Sequence, residues 1–220
     1  EQLAEELHQL MATGRKVALV TSGAVGAGLG QLGLTKRPSN LAQLQAVAAV
    51  GQSHLLQAYD RALRAHGRHA GQVLLTADDV DDRKRYLNVR NTILALFEFG
   101  ALPIINENDT VSVDELRTTF GDNDRLAAVV TNLIRAPLLV LLSDVDGLYD
   151  GHPQDGDARV IPLVQRLDPS IYLLVRDQVT GLSKGGMASK LEAARIATTA
   201  GENVIIANGH TVGTLARIVR

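Results

Sequence analysis

The sequence predicts an α/β fold in which a mostly parallel central sheet is sandwiched between helices on both faces. Short apolar runs alternate along the chain with longer segments whose apolar residues recur at helical spacing. Each apolar run ends abruptly in small or polar residues, as is typical of a buried strand that leads into a loop. Aromatic residues are few and Trp is absent. The core must therefore consist of Ala, Val, Leu and Ile, which suits helices packed closely on a parallel sheet.

Strands and helices are predicted in alternation. The strands are expected at residues 17–20, 72–75, 102–105, 138–142 and 203–207. Helices are expected at residues 1–13, 41–65, 86–99, 125–135 and 188–200. Such alternation builds βαβ units, and in these sheets ligands bind beyond the carboxyl ends of the strands. Functional residues are therefore expected directly after each apolar run.

Length and composition restrict the class of protein. A chain of 220 residues can form one domain with a substantial core, here residues 1–220. The absence of cysteine is typical of a reducing compartment and predicts a cytoplasmic protein. No apolar run approaches the length that a bilayer requires. Lys and Arg are scattered, with a net charge of −2, so neither a membrane nor nucleic acid is an expected partner.

Small residues follow the first predicted strand, in the sequence Ser-Gly-Ala-Val-Gly at residues 22–26. Their backbone N–H groups can approach an anion closely, and the N-terminus of a following helix would add a favourable dipole. The same residues would also suit a tight turn with close packing. Both interpretations stay open from this segment alone.

A dinucleotide-binding fingerprint, Gly-x-Gly-x-x-Gly, occurs at residues 28–33. In dinucleotide-binding folds its first glycine directly follows a strand, and an acidic residue lies about 20 positions later. Gly28 lies well beyond the first predicted strand, and residues 52–54 are Gln, Ser and His. The Gly-x-x-x-x-Gly-Lys-Ser/Thr motif is also absent, so both NAD-dependent and P-loop chemistry are disfavoured.

Polar clusters follow the later strands. Asn-Glu-Asn-Asp at residues 106–109 includes Asp109, whose carboxylate can bind an ammonium group. Gly-Asp-Asn-Asp at residues 121–124 has more polar side chains than capping one helix requires. Ser-Asp at residues 143–144 stands at another strand end. The loop 181–187 combines glycines with Lys184 and leads into a helix whose first turn carries Lys190. This last combination predicts a phosphate-binding loop, with a solvated loop as its alternative.

Taken together and in this order, six segments resemble the amino acid kinase family: residues 20–25, 48–53, 105–109, 121–124, 143–149, and 185–187 with Lys190. The resemblance covers nearly the whole chain. It implies ATP-dependent phosphorylation of the side-chain carboxylate of L-glutamate to L-glutamyl 5-phosphate, the first step of proline biosynthesis. It also implies Mg²⁺ as a cofactor, feedback inhibition by proline, and a homo-oligomer, either a dimer or a tetramer.

The same resemblance implies roles for individual residues. Ser22, Asp109 and Asn123 would contact glutamate, with Gly23 and Ala24 contributing backbone groups. Lys190 and Asp124 would be catalytic, Asp124 by positioning lysine side chains. No residue is predicted to bind a metal directly. The implied ATP-binding residues are Ser143, Asp144, Lys184, Gly185, Gly186, Met187, Ala188, Ser189 and Lys190.

Some features depart from the family pattern. A strand carrying a further catalytic lysine is expected before Glu1, so the domain 1–220 lacks its first strand, and a C-terminal RNA-modification-type domain is not present in this chain. Lys184 and Ser189 stand where relatives often have Thr. Two alternatives remain: a related kinase that acts on aspartate, acetylglutamate or a nucleoside monophosphate, and a non-catalytic sensor of nucleotide or amino acid.

Overall fold

A computed structural model describes residues 1–111, 123–151, 156–175 and 186–219. The chain divides into two compact units. The first comprises Glu1–Phe120 with Val219–Arg220, and the second comprises Gly121–Ile218. That residues 1–220 make up a single domain stays a prediction.

The first unit contains a parallel sheet of three strands in the order β1-β3-β2. β3 is the central strand and is almost entirely buried, as its apolar sequence predicts. Val20 pairs with Ile105 and Leu75 with Glu107, so the three strands end at one edge of the sheet. The strands are β1 (Leu19–Val20), β2 (Ala70–Leu75) and β3 (Leu102–Glu107), and the helices are α1 (Gln2–Ala12), α2 (Ala24–Gln31), α3 (Leu41–Arg64), α4 (Ala77–Asp81) and α5 (Arg83–Glu98).

Glycines let α2 and α3 approach each other closely. A Cβ atom on Gly28 would collide with the backbone carbonyl oxygen of Val47, and one on Gly51 would collide with the carbonyl oxygen of Ala24. Neither obstacle is the end of a flexible side chain that could move aside. Gly28, the first glycine of the dinucleotide-like fingerprint, therefore serves helix packing.

Asp60 joins α3 to the start of β2. Its carboxylate accepts a hydrogen bond from the Ala70 N–H at 3.2 Å and pairs with the Arg64 guanidinium at 2.6 Å. The Ala70 N–H, and then Arg64, hold the pKa of Asp60 below its ordinary value of 3.8, although partial burial acts in the opposite direction. Since the folded state favours the charged form, ionisation of Asp60 stabilises the fold.

This contribution is expected to disappear in acid. Above the ordinary pKa of 3.8 it is fully present, and it is lost as the pH falls through the lower pKa of the folded state, because the unfolded chain takes up the proton first. Asp60→Asn keeps an oxygen for the Ala70 N–H but removes the charge. Urea unfolding should therefore show the variant to be less stable than the parent at about pH 7, and this difference should shrink as the pH falls below 3.8. A gap that stays constant with pH would contradict the role of the charge.

The second unit contains two parallel strands, β4 and β5, paired from Leu138↔Asn203 to Ser143↔Asn208. α6 and α8 pack against each other beside this sheet, and α6 contributes fully buried Leu126 and Leu133. α8 contributes Leu191, which is also buried. Each such leucine contributes about 2 kcal/mol by its removal from water. The elements are β4 (Leu138–Ser143), β5 (Asn203–Asn208), α6 (Asn123–Ile134), α7 (Pro169–Leu173), α8 (Met187–Thr199) and α9 (Thr214–Ile218).

α6 ends in a Schellman motif. The Ala136 N–H donates to the Thr131 carbonyl at 3.0 Å and the Arg135 N–H donates to the Asn132 carbonyl at 3.2 Å. Arg135 occupies the left-handed position of this motif with φ of 53°. Glycine is the residue that usually stands there, because a Cβ atom is strained in this conformation.

Arg135→Gly is therefore expected to stabilise the protein by about 1 kcal/mol, as relief of left-handed strain exceeds the entropy that glycine adds to the unfolded chain. Arg135 is exposed, so its side chain loses little packing. Urea unfolding measures the change. Arg135→Ala is the control, because it removes the same side chain but keeps the Cβ atom; equal stability of the two variants would refute the assignment to backbone strain.

The predicted fold class is confirmed: strand pairing in both sheets is parallel, and helices flank the sheets. Each predicted strand and each predicted helix is present, with ends that differ by a few residues. The strands form two sheets, one in each unit, where the sequence predicts one. Within the described residues, no helix combines the length and apolar character needed to cross a membrane. The helices α2, α4, α7 and α9 were not predicted.

Candidate active site

The strand ends of the first unit bring two of the predicted glutamate contacts to one edge. The Thr21 N–H donates to the Ile105 carbonyl at 2.9 Å, and the Asn108 N–H donates to the Leu75 carbonyl at 2.8 Å. These bonds extend the β1–β3 and β3–β2 pairings past the strand ends. They place Ser22, which is exposed, and the half-buried Asp109 at the same edge of the sheet.

The helix α2 starts directly after Ser22. Gly23 is its N-cap residue, with φ of 101° in the left-handed region, and its carbonyl accepts from the Ala27 N–H at 2.8 Å. Ala24 is buried against α3. The first turn of α2 therefore lies beside the strand edge, with N–H groups that have no partner within the helix itself.

The two asparagines that flank Glu107 stabilise the strand end itself. Asn106 is only 3% exposed, and its Oδ1 accepts from the Glu107 N–H at 2.9 Å. Asn108 Oδ1 accepts from the Thr110 hydroxyl. These local bonds give the asparagines a conformational role. Glu107 and Asp109 are the charged members of this cluster, and Asp109 is the one that the family resemblance assigns to the substrate ammonium group.

An ion pair between Lys190 and Asp124 is the main feature of the second unit. Lys190 Nζ lies 2.8 Å from Asp124 Oδ2, and the two side chains are only 12% and 15% exposed. The Ser189 hydroxyl lies 2.9 Å from the same carboxylate oxygen and 3.0 Å from the Gly186 carbonyl, and can donate to either. Because unpaired buried charges are costly, Asp124 fixes where the ammonium group can lie.

This ion pair joins two helix N-termini. Asp124 is the second residue of α6, where a negative charge interacts favourably with the helix dipole. Lys190 stands in the first turn of α8, which begins at Met187 and Ala188 after the N-cap residue Gly186. A lysine there opposes the dipole of α8. Asp124 compensates for this cost, and an anion bound at the α8 N-terminus would do so further.

Asn123, the first residue of α6, carries a buried acceptor. Its Oδ1 has no hydrogen-bond partner among the described residues. Buried polar atoms are nearly always hydrogen-bonded, so an unsatisfied one needs a reason such as a ligand that completes it. A ligand with an N–H or O–H group would satisfy this oxygen.

The ends of β4 and β5 form a second polar cluster. The Ser143 hydroxyl donates to Asp144 at 3.2 Å, and the Gly209 N–H donates to the Ser143 carbonyl at 2.8 Å. Asn208 Nδ2 donates to Asp146 at 3.0 Å, which ties the loop after β4 to the end of β5. Asn208 was not among the predicted site residues. It stands directly after the predicted strand 203–207, so the rule applied to the other strands would have found it.

The predicted site residues thus fall into two groups. Ser22, Gly23, Ala24 and Asp109 belong to the first unit. Lys184 and Gly185, like Gly121 and Asp122, lie outside the described residues. The second unit contains Asn123, Asp124, Ser143, Asp144 and residues 186–190.

Two curated relatives match almost the whole of this chain. Glutamate 5-kinase of Rhodopirellula baltica is 50% identical over 218 residues, which are 99% of this chain and 56% of that protein. Glutamate 5-kinase of Pseudomonas syringae pv. tomato is 47% identical over 215 residues, covering 97% of this chain and 57% of the relative. The chain therefore spans little more than half the length of these curated relatives.

Solved structures share the fold at low sequence identity. Isopentenyl phosphate kinase superposes with a TM-score of 0.64 at 16% identity, covering 99% of this chain and 84% of that one. Carbamate kinase from Giardia lamblia bound to AMP-PNP superposes with a TM-score of 0.62 at 18% identity, covering 98% and 84%. Residues 1–208 match the sequence profile of the Amino acid kinase family. The chain therefore belongs to the amino acid kinase family.

Proposed function

We propose that the protein transfers the γ-phosphoryl group of ATP to the side-chain carboxylate of L-glutamate and so produces L-glutamyl 5-phosphate, the first step of proline biosynthesis. The observation that carries the proposal is the nearly buried Lys190 ammonium, fixed by Asp124 at the N-terminus of α8. Relatives about half identical to the chain are named glutamate 5-kinase, which supports glutamate as the acceptor.

Phosphoryl transfer to a carboxylate requires positive charge around the reacting groups and no general base. The glutamate side chain has an ordinary pKa near 4.3, so its carboxylate is already a nucleophile at neutral pH. The obstacle is repulsion between this anion and the triphosphate. Lys190 and the N–H groups at the start of α8 supply the charge and the hydrogen bonds that offset it.

The remaining nucleotide contacts are proposed at the end of β4 and in the loop before α8. Ser143 and Asp144 would bind ATP together with residues 184–190. Mg²⁺ neutralises phosphate charge when it is bound, and in this proposal it is held mainly by the nucleotide phosphates, as in many phosphotransferases. The described residues include no group of three or more His, Cys, Asp or Glu side chains placed to hold an ion.

The glutamate contacts are proposed at Asp109, Ser22 and Asn123. Asp109 would pair with the substrate ammonium group, and Ser22, with the backbone of Gly23 and Ala24, would bind its carboxylate side. The unsatisfied Asn123 oxygen supports a role as an acceptor for a substrate N–H. A carboxylate that binds a free ammonium group favours glutamate over an acetylated amino acid.

A hydroxamate assay tests the proposal. The full-length protein is supplied with ATP, Mg²⁺ and hydroxylamine, which traps an acyl phosphate as a hydroxamate that is then detected as its coloured complex with ferric iron. Glutamate is expected to give product, whereas aspartate and N-acetylglutamate are not. Product from aspartate or acetylglutamate alone would replace the proposed substrate, and no product from any of the three would favour a sensor.

The proposal extends to the state and regulation of the protein. We place it in the cytoplasm, as a homodimer or homotetramer that proline inhibits. Light scattering coupled to size-exclusion chromatography measures the oligomer, and proline added to the hydroxamate assay tests inhibition. A monomer would contradict the proposed oligomer, and activity unchanged by millimolar proline would contradict the proposed inhibition.

A further inference from the structure

We infer that Gln52 is a positioning residue of the proposed glutamate site, because it holds the strand end that carries Asp109. The inference rests on the proposed function and adds a residue that contacts no substrate. Gln52 lies in α3, within the segment 48–53 that resembles the family but for which the sequence suggests no role.

The Gln52 amide connects α3 to two neighbouring strands. Its Nε2 donates to the main-chain carbonyl of Glu107, the last residue of β3, at 3.3 Å. Its Oε1 accepts from Gln72 of β2 at 3.4 Å. Gln52 is only 6% exposed. A helix that merely packed on the sheet would bury an apolar side chain here, since burying an amide is favourable only when its hydrogen bonds are made.

The Glu107 peptide is the point where the chain turns from β3 towards Asp109. The Glu107 N–H is bound by Asn106 Oδ1 at 2.9 Å, and the following N–H, of Asn108, is bound by the Leu75 carbonyl at 2.8 Å. Gln52 binds the carbonyl between these two groups. The orientation of this peptide is thereby fixed, and Asp109 follows two residues later.

The same turn of α3 also contacts the other half of the proposed glutamate site. Gly51 lies against the carbonyl oxygen of Ala24, in the first turn of α2, directly after Ser22 and Gly23. Adjacent residues of one helix thus contact the segments that carry Ser22 and Asp109. We therefore assign Gln52 the role of setting the position of Asp109 relative to Ser22.

Two substitutions test this role. Gln52→Met keeps the length of the side chain and removes both hydrogen bonds, whereas Gln52→Glu keeps an acceptor for Gln72 and cannot donate to Glu107 when ionised. Each is expected to raise the glutamate KM about tenfold, since a small displacement of a binding group weakens binding strongly. The ATP KM and kcat at saturating glutamate should stay within about twofold, because the nucleotide groups are untouched.

Gln57→Met is the matched control. Gln57 lies on the exposed side of the same helix, where it donates to Ser53 at 3.3 Å. It is expected to leave the glutamate KM unchanged. Thermal unfolding of all variants separates positioning from folding, and if Gln52→Met does not fold, Gln52→Glu carries the comparison.

The inference would be overturned by Gln52 variants whose glutamate KM equals that of the control, whether or not their melting temperature falls. It would also be overturned by a fall in kcat with no change in glutamate KM. The unsubstituted protein in the same assay tests the proposed function separately. If this protein does not phosphorylate glutamate, the proposed function is wrong, and there is no glutamate KM with which the variants can be compared.

Discussion

Lys190→Ala is expected to lower kcat at least about a hundredfold while leaving the glutamate KM little changed. Removal of one preorganised charge or donor that acts on the transition state typically has an effect of this size. The Lys190 ammonium is held by Asp124 at 2.8 Å in a site from which water is largely excluded, so its interaction with phosphate is weakly screened. Steady-state kinetics with both substrates varied measures kcat and the two KM values.

Arg195→Ala is the matched control for this prediction. It removes one positive charge from the same helix, at an exposed position where Arg195 pairs with Glu192. Near-parent kinetics are expected, because screening by water makes such surface charges weak at a distance. If Lys190→Ala kept near-normal turnover, the assignment of Lys190 to phosphoryl transfer would be wrong, and the ion pair with Asp124 would be structural.

The sheet strands could be predicted because their apolar runs are short and end sharply. The run at residues 102–105, for example, becomes the buried central strand β3. The extent of helix α2 was not predicted, because glycine is a poor helix former and three of the eight residues of α2 are glycines. Its stability comes from contact with α3 through Gly28 and Gly51, and no local sequence pattern reports such a contact. The helices α4, α7 and α9 have five residues each, too few for a helical period to emerge.

The sequence could indicate which strand ends carry candidate site residues, but it could not indicate which side chains pair with each other. The rule that ligands bind beyond parallel strands selected Asp109 and Ser143, but the pairing of Asp124 with Lys190 joins residues 66 positions apart in sequence. Only the family resemblance linked them. The strand-end rule also does not distinguish Asp109 from Asn106 and Asn108, whose side-chain oxygens accept from the Glu107 N–H and the Thr110 hydroxyl.

Asp109→Ala is expected to raise the glutamate KM about thirtyfold, because a hydrogen bond between charged groups in a half-buried site contributes about 2 kcal/mol to binding. The kcat at saturating glutamate should change much less, because the ammonium group is remote from the transferred phosphoryl group and contributes equally to ground-state and transition-state binding. Asp109→Asn should give a similar increase, which would identify the lost charge as the cause. The hydroxamate assay with varied glutamate measures both parameters.

Asp81→Ala serves as the control, since it removes an exposed carboxylate from the same unit and changes its net charge equally. Its glutamate KM should match that of the parent. An unchanged KM in Asp109→Ala would exclude Asp109 as the partner of the ammonium group. An increase in Asp109→Ala that Asp109→Asn did not share would assign the effect to hydrogen bonding by the side-chain oxygen. The joint behaviour of Asp109 and Lys190 variants, one acting on KM and the other on kcat, would then separate amino acid recognition from phosphoryl transfer.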